Sequence, residues 1–211
     1  AFVIGAAIAG GLIWHYSRDL PDYAQLRNYE PPVMTRVHAG DGSLIAEYAR
    51  ERRLYLPIQA VPKLVVDAYL SAEDKNFYKH VGVDPEGLVR AAISNFRNRG
   101  ANRRPQGAST ITQQVAKNFF LSPEQSIERK IREALVALKL ESTYSKDKIL
   151  ELYLNEIYLG APAPGQGSYG IAAAALNYFG KSVHEINLQE AAYLAALPKA
   201  PTDLHPFRNR D

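Results

Sequence analysis

Helix start and stop signals recur along the chain from Pro62 onward, and they restrict the fold more than any other feature. A start is marked by a capping residue, a proline at the first helical position or a capping partner three residues on. An end is marked by glycine or proline. The starts are Asp84-Pro85, Ser122-Pro123-Glu124-Gln125, Ser145 and Asn187 with Glu190, and the ends are Gly160, Gly180 and Pro198. These signals predict a mainly α-helical fold.

A short β-hairpin is predicted before these helices. Residues 33–38 and 44–48 flank the glycine-containing turn 39–43, which is the pattern of two short strands joined by a turn. Residues 17–32 are polar and contain three prolines, so we expect a linker there. The globular domain is therefore expected to occupy residues 33–211.

The N-terminal run of residues 1–14 carries no charged side chain. A membrane-spanning helix needs about 20 apolar residues, so the run is the end of a transmembrane anchor, the end of a cleaved signal peptide or a buried helix of a soluble domain. Its glycines and the Trp14-His15-Tyr16 sequence at the expected interface favour the anchor. We therefore expect residues 1–16 to be the C-terminal part of a transmembrane anchor that is longer in the full protein.

Composition excludes several classes of function. Apolar residues make up 46% of the chain and charged residues 22%, which is typical of a packed domain rather than a disordered chain. The net charge of +3 is too small to indicate a nucleic-acid partner. There is no cysteine, which excludes disulfides and thiolate metal sites, and the histidines show no metal-ligand spacing.

The first segment that could carry chemistry is residues 73–82 (EDKNFYKHVG). Taken alone, the acidic pair Glu73 and Asp74 could simply be solvated at a helix end. Phe77, Tyr78 and Val81 are expected to surround the pair, and a partly desolvated carboxylate has a raised pKa. Such a carboxylate is a better base near neutral pH.

The second segment is residues 107–118 (GASTITQQVAKN). Thr110 and Gln113 fit a capping box, so one interpretation is a well-capped helix without further function. The other is a receptor for phosphate or sugar, because a helix N-terminus with hydroxyl groups and a lysine one turn in suits an anion. The polar side chains that favour this second interpretation are Ser109, Thr110, Gln113, Gln114, Lys117 and Asn118.

The third segment, residues 129–133 (RKIRE), lies on a predicted helix on which Ile131, Leu135 and Leu138 share one side, with Arg129 and Glu133 opposite. It is either an ion pair on a solvated helix face or a pyrophosphate site with two cations and an ionised Glu133. The fourth segment, residues 146–160 (KDKILELYLNEIYLG), has apolar residues at helical spacing. We expect core packing rather than chemistry there.

Together and in this order, the four segments resemble family 51 glycosyltransferases, the polymerising domain of class A penicillin-binding proteins, and most of all the 1A-type synthases of Gram-negative bacteria. The family motifs E-D-x-x-F-x-x-H-x-G, G-x-S-T-x-T-Q-Q, R-K-x-x-E and K-x-x-I-L-E-x-Y-L-N are all matched. The resemblance covers about residues 31–206. A fifth motif, R-R-x-x-V-L, is absent, and we expect it to follow Asp211 in the full protein. The resemblance suggests that a transpeptidase domain follows as well.

The resemblance implies a lysozyme-like helical lobe with a smaller membrane-proximal lobe. It also implies polymerisation of lipid II into β-1,4-linked glycan by inverting transfer, with release of undecaprenyl pyrophosphate. The implied catalytic residues are Glu73, as the base, and Glu133. The implied substrate-binding residues are Asp74, Phe77, Ser109, Thr110, Gln114, Lys117, Asn118, Arg129 and Lys130.

The resemblance further implies no required cofactor, although a divalent cation such as Mg²⁺ or Mn²⁺ could act at Glu133. Implied partners are lipid II, the lipid-linked glycan, the bilayer, moenomycin-type inhibitors and other cell-wall synthesis proteins. The expected location is the periplasmic side of the bacterial inner membrane, on a single-pass anchor. Two alternatives are a lysozyme-like glycan-cleaving enzyme and a noncatalytic module for cell-wall assembly. A glycan-cleaving enzyme would not need the cations Lys117, Arg129 and Lys130. The presence of both Glu73 and Glu133 argues against a noncatalytic module.

A possible membrane-binding surface is predicted between the first two segments. Residues 88–96 have apolar side chains at amphipathic spacing, followed by Arg97, Arg99, Arg103 and Arg104. We expect this stretch to lie on the bilayer near anionic headgroups and to guide the lipid substrate. The alternative is an ordinary domain helix followed by a flexible basic loop.

Overall fold

The computed structural model describes residues 35–41, 43–48, 52–98, 107–122, 124, 126–161 and 167–200, together with Gly11 and Tyr16. The chain forms two compact units. The first unit contains Ala1–Arg27 and Asn76–Ile149, and the second contains Asn28–Lys75 and Leu150–Asp211. The predicted anchor at residues 1–16, the linker at 17–32 and the basic loop at 100–107 lie almost wholly outside the described residues. Among the described residues, no helix is both long enough and apolar enough to cross a bilayer.

The first unit is built from helices. These are α2 (Pro85–Arg97), α3 (Ile111–Phe120), α4 (Ile127–Thr143) and the start of α5 (Lys146–Glu156). Helices α3 and α4 pack against each other, because α3 buries Ile111, Val115 and Ala116 and α4 buries Val136, Ala137 and Leu140. Each of the larger side chains among them contributes about 1.5–3 kcal/mol when it is fully buried.

The second unit combines short strands with helices. Strands β1 (Thr35–His38) and β2 (Leu44–Tyr48) form an antiparallel pair, and β3 (Arg52–Arg53) pairs in parallel with β4 (Ser168–Tyr169). Helix α1 (Lys63–Glu73) packs against α7 (Leu188–Ala196). The alanine-rich α6 (Ile171–Phe179) and the rest of α5 complete the core of this unit. Short 3-10 turns occupy Ile58–Ala60 and Leu197–Lys199.

Most of the predicted elements are confirmed. The hairpin β1–β2 forms, Pro85 begins α2, and Asn187 with Glu190 caps α7 as a capping box. Ser145 accepts a hydrogen bond from the N–H of Lys148 at the start of α5, at 3.2 Å. Gly180 ends α6 with a φ of 64°, a left-handed conformation that favours glycine. The mainly α-helical fold class is therefore correct for the described residues.

Two predictions about helices are wrong. Helix α4 does not begin at Ser122, because Ser126 is its N-cap and accepts a hydrogen bond from the N–H of Arg129 at 3.0 Å. The apolar side predicted for α4 is also not its buried side, since Leu138 is largely exposed. The buried side is formed instead by Glu133, Val136, Ala137 and Leu140, which follow the i, i+3, i+4, i+7 spacing of one helix face.

Candidate active site

A buried carboxylate with two cations lies on the first two turns of α4. Glu133 is only 2% exposed, and its Oε1 accepts a hydrogen bond from Nζ of Lys130. Its other oxygen, Oε2, lies 3.8 Å from a guanidinium nitrogen of Arg129. A buried carboxylate is strongly destabilising unless it is paired, so Arg129 and Lys130 account for the burial of Glu133. The solvated ion pair considered for this segment is therefore excluded.

Lys130 links this cluster to the segment before α3. Its ammonium donates a hydrogen bond to Oγ of Ser109 at 2.7 Å, in addition to its bond with Glu133. The lysine side chain is 48% exposed, so its charge is accessible to solvent while the carboxylate beneath it is not. We call Ser109, Arg129, Lys130 and Glu133 the cation cluster.

The start of α3 next to the cluster is fixed by its own cap. Oγ1 of Thr110 accepts from the N–H of Gln113 at 3.1 Å, and Oε1 of Gln113 accepts from the N–H of Thr110 at 3.0 Å. The hydroxyl of Thr110 also donates to the carbonyl of Gly82 at 2.6 Å. The capping box predicted from the sequence is confirmed, and both side chains are buried. Substrate binding by Thr110 stays a prediction.

The other polar side chains of α3 differ in exposure. Gln114 and Lys117 are partly exposed, and Asn118 is exposed. Since charged and amide groups at accessible positions can bind a polar ligand, these three residues remain candidates for substrate contact. Gln113, which was named with them as a polar side chain of this segment, is buried and used in the cap.

Glu73 is the last residue of α1 in the second unit. Its side chain is partly exposed, and the following Asp74 is buried and caps the helix. Burial and then the charge of Glu73 raise the pKa of Tyr69 well above its ordinary value. Burial first, and then the charges of Glu73 and Asp74 and the neighbouring Tyr69, likewise raise the pKa of Tyr153. The charge of Glu73 thus acts on two buried phenols.

The residues expected to surround the acidic pair differ in exposure, and their position around Glu73 stays a prediction. Phe77 is 1% exposed, and its ring contacts Tyr78 and His80 edge-on, at 5.1 and 6.2 Å between ring centres. Nζ of Lys146 lies over the Phe77 ring at 4.4 Å. Tyr78 and Val81 are mostly exposed. Phe77 is therefore a core residue of the first unit, and a contact between Phe77 and substrate stays a prediction.

Tyr69 and Tyr153 were missed as neighbours of the candidate base. Tyr69 lies four residues before Glu73, so helical spacing alone places the two side chains on one face of α1. That signal was available in the sequence. The approach of Tyr153 depends on how α5 packs in the second unit, and no local pattern could have shown it.

The cation cluster does not have the arrangement of a metal site. Both oxygens of Glu133 face cationic nitrogens, so a divalent cation at this carboxylate would be repelled by the charges of Lys130 and Arg129. In the part of the chain that the structure describes, no three histidine, aspartate or glutamate side chains are grouped as metal ligands. A divalent cation at Glu133 stays a prediction that this arrangement does not favour.

Comparison with known proteins gives a clear family match. The sequence profile described as "Transglycosylase" matches residues 41–211. Penicillin-binding protein 1A of Rickettsia conorii is 53% identical over 207 residues, which is 98% of this chain and 26% of that protein. Penicillin-binding protein 1A of Escherichia coli is 44% identical over 210 residues, covering 99% of this chain and 24% of the relative.

The chain spans about a quarter of the length of these curated relatives. A solved structure of penicillin-binding protein 1A from Haemophilus influenzae is 26% identical, with a TM-score of 0.38, and the match covers 84% of this chain and 16% of that chain. At that TM-score the likeness supports no conclusion about fold.

Proposed function

This chain belongs to the transglycosylase family, and on that premise we propose that it is a peptidoglycan glycosyltransferase that polymerises lipid II. The match of four ordered motifs and a family profile over residues 41–211 supports the reaction class. The observation that carries the proposal is the cation cluster, in which two cations are held by a buried carboxylate beside Ser109. Such a cluster suits an anionic leaving group.

In the proposed reaction, Glu73 is the general base. It removes the proton from the 4-hydroxyl of the acceptor sugar, and that oxygen attacks C1 of the donor sugar. The bond between C1 and the pyrophosphate oxygen breaks, and the electron pair leaves with undecaprenyl pyrophosphate. Attack from the face opposite the leaving group inverts the configuration at C1 and gives a β-1,4 linkage. A positioned base of this kind contributes about 10²–10⁴-fold to the rate.

Lys130 and Arg129 bind the pyrophosphate of the donor in this proposal. Lys130 supplies an accessible ammonium, and Glu133 keeps it in place together with Ser109. Hydrogen bonds between cations and phosphate oxygens are about twice as strong as neutral ones. They also offset the negative charge that develops on the leaving group. Glu133 thus acts by positioning cations. Gln114, Lys117 and Asn118 on α3 remain further candidates for sugar or phosphate contact.

The exposed side of α2 supports contact with a bilayer. Its apolar side chains Leu88, Val89, Ile93 and Phe96 are exposed, and Phe96 reaches 72%. An open groove of about 720 Å³ runs along this helix, lined by Pro85, Glu86, Val89, Arg90, Ile93, Ser94, Arg97 and Asn98. An apolar side bordered by arginines suits insertion at an anionic membrane surface. The test replaces Phe96 together with the four arginines Arg97, Arg99, Arg103 and Arg104. This proposal fails if the change alters neither liposome binding nor the rate of polymerisation on a substrate in a bilayer.

The location and the partners follow from the proposed reaction. A lipid-linked substrate requires the enzyme to work at the membrane, on the side where the glycan is assembled. We place the domain on the periplasmic face of the inner membrane, held by the apolar N-terminal segment. Moenomycin-type inhibitors, which mimic lipid-linked glycan, and other cell-wall synthesis proteins are proposed as ligands and partners.

Polymerisation of labelled lipid II by the full-length anchored protein tests the function. Wild type is compared with Glu73→Gln and with Glu185→Gln, a matched change at an exposed glutamate outside the site. We expect long glycan from wild type and from Glu185→Gln, and loss of about 10²–10⁴-fold in rate from Glu73→Gln. Equal polymer from all three removes Glu73 from its role. No polymer from wild type favours the noncatalytic assembly module, and shortening of added glycan favours the lysozyme-like alternative.

A further inference from the structure

His80 belongs to the segment 73–82, and the proposed mechanism assigns it no function. The residue is buried in the loop before α2, in the first unit. Its Nδ1 accepts a hydrogen bond from the N–H of Gly82 at 3.2 Å. A ring nitrogen accepts only while it has no hydrogen of its own, so the hydrogen of this neutral imidazole is on Nε2. The ring thus binds the main chain two residues further along.

Gly82 lies against both helices that carry the cation cluster. Its carbonyl accepts from the hydroxyl of Thr110, the N-cap of α3, at 2.6 Å. A methyl group on its Cα would stand 2.8 Å from the carbonyl oxygen of Ala137, so its main chain packs directly on α4. Ser109 immediately precedes Thr110, and Glu133 lies about one turn before Ala137. The position of Gly82 therefore affects both sides of the cluster.

A glycine needs hydrogen bonds on both of its main-chain groups to stay in one conformation, because glycine has more conformational freedom than any other residue. Gly82 has a φ of 93°. His80 binds its N–H, and Thr110 binds its carbonyl. Since Gly82 is buried, losing the acceptor on His80 would deprive its N–H of this partner away from water, which is unfavourable. The chain would relax at Gly82, and the carbonyl that Thr110 binds would move.

We propose that His80 is a positioning residue for the cation cluster. By binding the N–H of Gly82, it fixes the carbonyl to which Thr110 donates, and thus the start of α3. Ser109, at that start, is then held where its Oγ lies 2.7 Å from Nζ of Lys130. The proposal rests on the cluster binding pyrophosphate, as in the proposed function. His80 itself contacts no substrate, and it acts only through the main chain.

The alternative is that His80 only packs, since its ring meets the Phe77 ring edge-on with 6.2 Å between the ring centres. Two substitutions separate these explanations. His80→Asn removes the ring but keeps an acceptor, because the side-chain oxygen of asparagine binds the N–H two residues further along. His80→Phe keeps a ring and removes the acceptor. If the residue only packs, the Phe variant is the milder change; if it positions Gly82, the Asn variant is.

The first measurement is inhibition of the full-length anchored enzyme by inorganic pyrophosphate. We expect inhibition of His80→Phe to be weaker by about 3–10-fold, the factor for one lost neutral hydrogen bond, and inhibition of His80→Asn to match wild type. His80→Leu, which also has no acceptor, replaces His80→Phe if the larger ring prevents folding. The same changes at His184, an exposed histidine of the second unit, are the matched control and should have no effect. The proposal is overturned if the Asn variant is inhibited as weakly as the Phe variant, or if neither differs from wild type.

A second readout depends on neither turnover nor pyrophosphate. Hydrogen exchange of the full-length protein, followed by mass spectrometry, reports on the amides of Thr110 and Gln113, each of which donates to the side chain of the other. In His80→Phe these amides should exchange about 3–10-fold faster, whereas in His80→Asn they should keep the wild-type rate. This result supports the positioning of α3 even if pyrophosphate inhibits no variant, in which case only the function proposed for the cluster fails. Unchanged exchange at the start of α3 in His80→Phe, or equally faster exchange throughout α7 of the second unit, overturns the proposal.

Discussion

The side-chain amide of Asn155 binds both main-chain polar groups of Leu56. Its Oδ1 accepts from the N–H of Leu56 at 2.8 Å, and its Nδ2 donates to the carbonyl of the same residue at 2.8 Å. One turn earlier on α5, Glu151 accepts from the hydroxyl of Tyr55 and from the N–H of Ile58. Two side chains of one helix thus bind three residues of the segment before α1 in the second unit, namely Tyr55, Leu56 and Ile58.

Replacing Asn155 with alanine should destabilise the protein by about 2–4 kcal/mol, because two part-buried main-chain groups lose their partner. The matched control is Asn98→Ala, at an exposed asparagine, which should change stability by less than about 0.5 kcal/mol. Chemical denaturation of both variants measures the difference. Equal stability of the two variants would contradict the structural function assigned to Asn155.

Removing the ammonium of Lys130 should weaken binding of the pyrophosphate group. A lost charge-assisted hydrogen bond costs about 1.5–3 kcal/mol, which is a factor of about 10–150 in affinity. Lys130→Ala is compared with Lys63→Ala, which removes a lysine from an exposed i, i+4 pair with Asp67 and should have almost no effect. Inhibition of the full-length enzyme by inorganic pyrophosphate provides the measurement. Equal inhibition of the two variants would remove Lys130 from the proposed site.

Gly82→Ala should be much more harmful than Gly180→Ala. Both glycines have positive φ, at 93° and 64°, so each alanine is strained by about 1–2 kcal/mol. Only at Gly82 would the new methyl group meet main chain, at 2.8 Å from the carbonyl oxygen of Ala137. We expect a loss above about 3 kcal/mol for Gly82→Ala, from strain and overpacking together. Thermal unfolding measures the stability of both variants. Because the conformational strain is common to them, the difference between their stabilities gives the effect of the clash.

Tyr78 should ionise late in an alkaline titration. Partial burial, together with the hydrogen bond from its hydroxyl to Asp147 at 3.0 Å and the charge of that carboxylate, raises the pKa of Tyr78 to about 12. Because the folded pKa is above the unfolded value near 10, this contribution to stability is complete below about pH 10. It is lost as the pH rises toward 12.

The ultraviolet absorbance of phenolate measures this effect as the difference between wild type and Tyr78→Phe. The expected midpoint of the difference is about 12, and Asp147→Asn should lower it. Stability should also fall more steeply above pH 10 in wild type than in Tyr78→Phe. A midpoint at the ordinary value of a free tyrosine would show that the bond to Asp147 does not form.

Elements with local signals were predictable from the sequence. The capping boxes at Thr110 with Gln113 and at Asn187 with Glu190 need residues only three apart, and both form as expected. The β3–β4 pair was not predicted, because its two short strands come from distant parts of the chain. Ser122 was predicted to begin a helix because its capping signal looks like that of a true helix start. The structure uses Ser126 as the N-cap instead, and the capping signal alone could not distinguish the two serines.

The candidate site was predictable in its residue types but not in its environment. Glu133 was placed opposite the apolar residues of its helix, yet it occupies the buried face with Val136 and Ala137. A periodicity count treats a carboxylate as a surface residue. Here the paired cations Arg129 and Lys130 reverse that preference. The burial of Glu133 depends on its pairing with these cations in the folded chain. The burial preference of a single residue type does not include such pairing.

The pairing of Lys130 with both Ser109 and Glu133 reduces the entropy that binding of an anion must remove. An ammonium has three hydrogens to donate, and Lys130 already donates to Ser109 and Glu133. Fixing a lysine side chain costs up to about 2 kcal/mol of rotamer entropy, and folding meets that cost here before any ligand arrives. In the proposed function, the pyrophosphate therefore meets a cation that is already in position.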